Sequence, residues 1–264
     1  MTSSQKEIYQ HYHVNDREFI DKAFEWLMRI EEKNVFFLTP FLNPHQGKIL
    51  RQLAQSRGVV IYSSDQFYSS EEARHILAPD YYILDKDDFE MDLLQIDYAQ
   101  KFHTLKHSQI MGSLIHQLGI QRWTFGDIIR SGQDFQIMVD RRFTSIFQDQ
   151  LKKIGPVSVD LKLVSFDHLL SADQDWQQKE VLLSSMRLDK VIGQTFNLSR
   201  AKASDIVKAG LVKVNYNIEE TSSRILELGD RISVRRFGRI HLKESQGLSK
   251  NGKYKITVEL VRSK

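Results

Sequence analysis

Apolar residues recur at helical spacing near the start of the chain. Phe19, Ile20, Ala23, Phe24, Leu27 and Ile30 advance by ones, threes and fours and share one helix face. Asn43-Pro44 opens a second helix, with Asn as cap and Pro in the first turn, and its buried side is Ile49, Leu50, Leu53 and Ala54. Gly58 then punctuates the chain, and the Val-Val-Ile-Tyr run at 59–62 predicts a short strand. Residues 70–77 predict a third helix, closed by Pro79.

The pattern changes after residue 80. It predicts a strand over 91–97, a helix over 108–118, strands over 123–129 and 135–139, a helix over 141–154 and a strand over 157–164. In the last strand Val157, Val159, Leu161 and Leu163 alternate onto one face. The order β-α-β-β-α-β is that of the split ferredoxin-like unit common among RNA-recognition domains. The aromatic signature of those domains is missing, so element order alone assigns no function. Residues 166–184 are polar, lack a strand period and read as a connecting segment. The expected architecture is α+β: a helical N-terminal domain (1–80), an RNA-recognition-like, ferredoxin-like middle domain (81–165), a linker (166–184) and a C-terminal domain (185–264).

Composition narrows the function classes. Of 264 residues, 41% are hydrophobic and 27% charged, which are globular values. The absence of cysteine excludes a disulfide scaffold, a cysteine-ligated zinc or iron–sulfur site and a thiol nucleophile. No run approaches the ~18 apolar residues of a membrane span, and the first residues lack the apolar core of a secretory signal. A cytoplasmic protein with no membrane role is expected. Charge is divided unevenly: residues 185–264 hold 17 Lys or Arg against 8 Asp or Glu, whereas residues 1–184 hold 20 against 26. A basic C-terminal third suits a nucleic-acid partner.

The most informative stretch runs from Met186 to Arg235. Leu188, Val191 and Ile192 form the apolar stripe of a short helix, and Asn197-Leu198-Ser199 breaks it. Ser199 caps a second helix that ends at Gly210 and buries Ala203, Ile206 and Val207. Arg200, Ser204 and Lys208 lie along another side of that helix. A strand over 211–214, a turn at Asn215-Tyr216-Asn217 and a strand over 231–235 after Gly229-Asp230 complete the stretch. A helix N-terminus offers free N–H groups and partial positive charge to a phosphate, and Arg can grip one bidentately.

This stretch resembles the S4-type, or alpha-L, RNA-binding module. The resemblance rests on Arg187-Leu188-Asp189-Lys190, Ser199-Arg200-x-x-Ala203, Ile206-x-x-x-Gly210-x-Val212-x-Val214-Asn215 and Gly229-Asp230. Tyr216 departs from it, standing where the family usually has Gly, and this raises the demand on the turn. The candidate RNA-binding residues are Arg187, Lys190, Ser199, Arg200, Lys202, Ser204, Lys208, Lys213 and Asn215. Further stretches, Thr39-Pro40-Phe41-Leu42-Asn43-Pro44, His107-x-x-x-Met111-Gly112-x-Leu114 and Leu118-Gly119-Ile120-x-Arg122-x-x-x-Gly126-Asp127-Ile128, extend the resemblance to the YlmH family of bacterial S4-domain proteins. That resemblance implies a cytoplasmic, ribosome-associated RNA-binding protein. It implies contacts with rRNA of the large subunit and peptidyl-tRNA in quality control of stalled synthesis, and a link to cell division.

Other signals point to weaker chemistry. His11-x-His13 and His103-x-x-x-His107 have spacings that could serve a metal, but a third ligand is unassigned, and surface or RNA-contacting histidines are the expectation. Asp85, Asp87, Asp88, Glu90 and Asp92 crowd one stretch without an EF-hand's glycine and read as a solvated acidic loop. Neither a nucleophile elbow nor a phosphate loop is present, since Gly126-Asp127 and Gly132 fit neither GxGxxG nor GxxxxGK[ST]. No metal, cofactor or small-molecule substrate is therefore expected, and the protein is read as a non-enzyme. The rival classes are an RNA-modifying enzyme, of pseudouridine-synthase or rRNA-methyltransferase type, and a protein adaptor that uses the module for targeting. Arg187-Leu188-Asp189 superficially echoes a synthase catalytic stretch.

Overall fold

A computed structural model describes Tyr12 and residues 14–117, 119–173 and 176–262. His11 and His13 lie outside the described residues. The chain divides into two compact units, residues 1–173 and 174–264. Among the described residues no helix is long and apolar enough to cross a membrane.

The first unit opens with α1 (Arg17–Lys33), whose Ile20, Ala23, Phe24, Leu27 and Ile30 are buried as their spacing predicts. The chain then forms β1 (Phe37–Leu38) and α2 (Pro44–Gln55). A full capping box starts α2: Gln46 N–H donates to Asn43 Oδ1 at 3.0 Å and Asn43 N–H to Gln46 Oε1 at 3.1 Å. Strands β2 (Val60–Ser63) and β3 (His75–Ala78) complete a three-stranded antiparallel sheet of order β1-β3-β2.

The third helix expected over 70–77 is not formed. Its second half is β3, the central strand of that sheet, with all four residues buried. A helix would turn only part of its circumference inward, whereas His75, Ile76, Leu77 and Ala78 are enclosed on every side. Short apolar runs do not distinguish the two conformations by themselves.

The middle of the chain forms β4 (Met91–Tyr98), α3 (His107–Gly112), β5 (Phe125–Ser131), β6 (Asp134–Asp140), α4 (Thr144–Gln150), β7 (Lys153–Ile154) and β8 (Val157–Val164). Their antiparallel sheet has the order β5-β6-β4-β8-β7. Without the short β7 this is the ferredoxin-like arrangement that the element order predicts. The helix expected over 141–154 is shorter. It begins as a 3-10 turn, spans Thr144–Gln150, and gives way to β7 because Gly155, at φ 57°, turns the chain back into β8. The predicted alternation also fails at its end: Val157, Val159 and Leu161 are buried, but Leu163 is 57% exposed.

Both faces of this sheet are covered. Leu94, Ile96, Ile128, Ile137 and Val139 pack under α3 and α4. On the opposite face Met91, Leu93, Ile129 and Met138 pack against Phe41, Ile76, Ala78 and Phe89. Gln136, also on that face, donates to His168 O at 2.9 Å and accepts from Leu170 N–H at 2.9 Å.

The second unit contains β9 (Gln177–Leu183), α5 (Leu188–Phe196), α6 (Arg200–Lys208), β10 (Val212–Val214), β11 (Asn217–Ile218), β12 (Arg231–Val234), β13 (Gly238–Leu248) and β14 (Tyr254–Arg262). They form two helices packed on an antiparallel sheet of order β11-β10-β12-β13-β14-β9. The stretch 166–184, expected to lack a strand, supplies β9, which pairs with β14 from Leu183↔Tyr254 to Gln177↔Leu260. Only Val181 and Leu183 turn inward there, too few apolar positions for a readable period. The β13–β14 hairpin is equally invisible to motif reading. Gly238 is obligatory in it, because a Cβ there would lie 1.9 Å from Val261 O at φ 134°.

Candidate nucleic-acid interface

The predicted residues fall on or beside α5, α6 and β10, and the structure brings two of them, Arg187 and Arg200, to Asp189. That carboxylate is 2% exposed. Arg187 donates to it from Nε at 3.1 Å and from a terminal nitrogen at 2.7 Å, and Arg200 Nε approaches it at 3.3 Å. Burial pushes the Asp189 pKa up, but hydrogen bonds from Arg187 and Arg200 outweigh it and hold the group below its ordinary value. The bond to Asp189 likewise raises the Arg187 pKa. Asp189 is thus favoured as a carboxylate, which orients two guanidinium groups. It was not among the predicted binding residues, although the short Arg187-Leu188-Asp189 spacing was visible.

Arg200 is tethered and still presented, with its side chain 64% exposed. It occupies the first turn of α6, where Ser199 Oγ caps the helix by accepting from Lys202 N–H at 3.2 Å. Ala203, Ile206 and Val207 form the buried side of α6, as predicted. Lys202 and Lys208 are exposed and Ser204 is half-buried. Lys213 is exposed on β10, and Lys190 Nζ donates to Ser184 Oγ at 2.8 Å.

Asn215 has a structural task. Its Nδ2 donates to Asp230 Oδ1 at 2.7 Å and its Oδ1 accepts from Arg231 N–H at 3.0 Å, tying the β10–β11 turn to β12. Asn215 and Tyr216 both take positive φ, 48° and 72°, the signature of a two-residue hairpin turn. The turn keeps its shape with Tyr where Gly is usual, and Val214 pairs with Asn217 across it.

Two of the three quoted stretches of the first unit, those around Phe41 and Gly126, meet in one joint. Gly126 lies against Phe41, where a Cβ would come 2.7 Å from the ring. Asp127 accepts from the backbone N–H groups of Glu71 and Glu72, and Arg122 pairs with Glu72. Arg74, 1% exposed, donates to Thr39 O at 3.0 Å, to Phe89 O at 3.0 Å and to Glu90 O at 2.9 Å, and faces Asp140 at 3.4 Å. These contacts close the sheet face that RNA-recognition modules use to stack bases. The acidic stretch at 85–92 is also more structured than a solvated loop. Asp85 and Asp88 form a capping box, while Asp87 and Asp92 hold Arg141. His103 is exposed, and His107 opens α3.

Family models match in series: the YlmH N-terminal domain over residues 15–82, a putative RNA-binding domain in YlmH over 85–168, and the S4 domain over 186–232. The ribosome-associated protein quality control protein P2 of Bacillus subtilis (strain 168) is 34% identical over 253 residues, which is 96% of this chain and 98% of that protein. The chain belongs to the YlmH family. Within the YlmH family, the solved cell division protein ylmH from Streptococcus pneumoniae is 45% identical, with a TM-score of 0.56 over 62% of this chain and 99% of its own. The S4 match in this YlmH-family chain ends at residue 232, so β13 and β14 lie beyond it.

Proposed function

We propose that this YlmH-family protein is a non-catalytic RNA-binding protein of the ribosome. It contacts large-subunit rRNA and peptidyl-tRNA during quality control of stalled translation, with a link to cell division. The carrying observation is Arg200, held by a buried, ionised Asp189 and exposed at the start of a helix flanked by Lys202 and Lys208. A preoriented guanidinium beside mobile ammonium groups suits a phosphate backbone read by shape. The name of the Bacillus relative and the description of the middle-domain model, a putative RNA-binding domain, support the same partner class. A synthase role finds no support at Asp189, because a carboxylate buried and bridged by two arginines cannot reach a base.

The test compares the full chain with residues 1–173 and residues 174–264 on rRNA fragments and tRNA across salt concentrations. The second piece should retain most of the salt-dependent affinity. Cutting at residue 185 would leave β9 without its partner β14, so the division after residue 173 is the informative one. Full affinity in residues 1–173 would refute the proposal. RNA mass unchanged after incubation with S-adenosylmethionine, together with a negative chemical readout for pseudouridine, is expected of a binder.

A further inference from the structure

The β13–β14 hairpin brings its tip beside the two helices, outside the region matched to the S4 domain. Its turn is held by Ser249, whose N–H donates to Lys253 O at 2.7 Å and whose Oγ accepts from Lys253 N–H at 3.0 Å. Between this tip, the end of β9 and the two helices lies an open groove of about 270 Å³. Leu183, Lys190, Gly193, Gln194, Arg200 and Lys253 are among its walls. Gly193 lets α5 approach the following loop closely, since a Cβ there would sit 3.1 Å from Leu198 O.

The chemistry of the walls is selective. Lys190, Arg200 and Lys253 bring three cations to one opening, and the acid beside them, Asp189, is already bridged by Arg187 and Arg200. The groove therefore presents net positive charge to a phosphate. Gln194 adds an amide that can both donate and accept. Tyr254 pairs in register with Leu183 and is 42% exposed, which places an aromatic residue beside the groove. The volume lies just below the ~300–1,000 Å³ of common ligand pockets, a size for one nucleotide and not for a duplex.

We infer that this groove takes a single unpaired nucleotide of the bound RNA, with its phosphate among Lys190, Arg200 and Lys253 and its base against Tyr254. The inference rests on the RNA-binding reading and deepens it. The helix face gives affinity for structured RNA, and the groove gives preference for a helix interrupted by an extruded base. Unpaired bases stack on aromatic rings irrespective of sequence, so the preference is for structure and not for base identity.

The experiment uses the full chain and two RNA hairpins of equal length and charge, one perfectly paired and one with a single bulged nucleotide. Wild-type protein should bind the bulged hairpin about tenfold more tightly, the scale of one stacked base. Tyr254→Ala and Lys253→Ala should bring that ratio close to one, whereas Tyr254→Phe should preserve it. Lys208→Ala, outside the groove, should weaken both RNAs alike and leave the ratio unchanged. Lys253→Glu, at an exposed turn position, provides the decisive variant if Tyr254→Ala lowers the melting temperature. A wild-type ratio of one, or a ratio unaffected by Tyr254→Ala and Lys253→Glu, overturns the groove while leaving the helix face intact. Failure of the wild-type protein to bind either RNA overturns both readings.

Discussion

Arg200 Nε lies 3.3 Å from Asp189 Oδ2, so an exposed cation on one helix is aimed by a buried anion on another. Asp189 lies in the first turn of α5 and Arg200 opens α6, and the contact fixes the direction of the guanidinium before any RNA arrives. Preorientation of this kind reduces the side-chain entropy lost on binding.

Arg200→Ala should weaken RNA binding by ~1–3 kcal/mol, as expected for a hydrogen bond to a charged group. Removal of Arg200 or of Lys208 should also flatten the slope of log affinity against log salt by about 0.7–0.9. Asp189→Asn makes the protein more positive yet should also weaken binding, because Arg200 loses its anchor. Tighter binding by Asp189→Asn would show that charge and not orientation dominates. Ile206→Ala, at a site 9% exposed, is the folding control and should destabilise the protein by ~2–5 kcal/mol.

The first unit contains two groups with opposite pH linkage. Burial, with Arg51 adding to it, pushes His75 from 6.5 down to about 4. The unfolded chain therefore takes up a proton first, and stability is lost as pH falls from about 6.5 toward 4. Burial, opposed by Arg122 and reinforced by Asp127 and Glu71, pushes Glu72 from 4.5 up to about 7. Here the folded state binds the proton more tightly, so the contribution present below 4.5 is lost as pH rises toward about 7. Each effect is on the order of 3 kcal/mol, and they offset each other where the windows overlap. Denaturant melts against pH should show that His75→Gln removes the acid-side loss and Glu72→Gln removes the loss toward neutrality. Identical pH profiles for wild type and both variants would exclude this linkage.

Gly126→Ala should destabilise the first unit by ~1–3 kcal/mol, because its Cβ would meet the Phe41 ring at 2.7 Å within a packed joint. RNA affinity should remain intact at temperatures where the protein is folded. An unchanged melting temperature would mean that Phe41 can move aside without cost.

Tyr216→Gly should stabilise the second unit by up to ~1 kcal/mol. A left-handed L-residue costs roughly 1–2 kcal/mol, partly offset by the greater freedom of glycine in the unfolded chain. Chemical denaturation of the two proteins measures the difference. A less stable Tyr216→Gly variant would show that the tyrosine side chain contributes more than its backbone costs.

Elements governed by neighbours within a few residues were legible in the sequence. The apolar stripe of α1, the Asn43 cap of α2, the β-α-β-β-α-β order and the Ser199-capped α6 all express helix period, capping or alternation. The charge surplus and the S4-type spacing located the candidate RNA face in the same way. Tertiary structure alone decided what depends on partners distant in the chain. Residues 75–78 became a central strand because two others flank them, and residues 177–183 became a strand because β14 offers an edge. Asp189 acquired its role only when α6 brought Arg200 beside it. Leu93 and Met138 left the middle sheet without an open face only when Phe41 and Phe89 covered them. Local patterning acts within a turn or two of the chain, whereas strand pairing, burial of a charge and closure of a sheet face depend on which distant residues arrive.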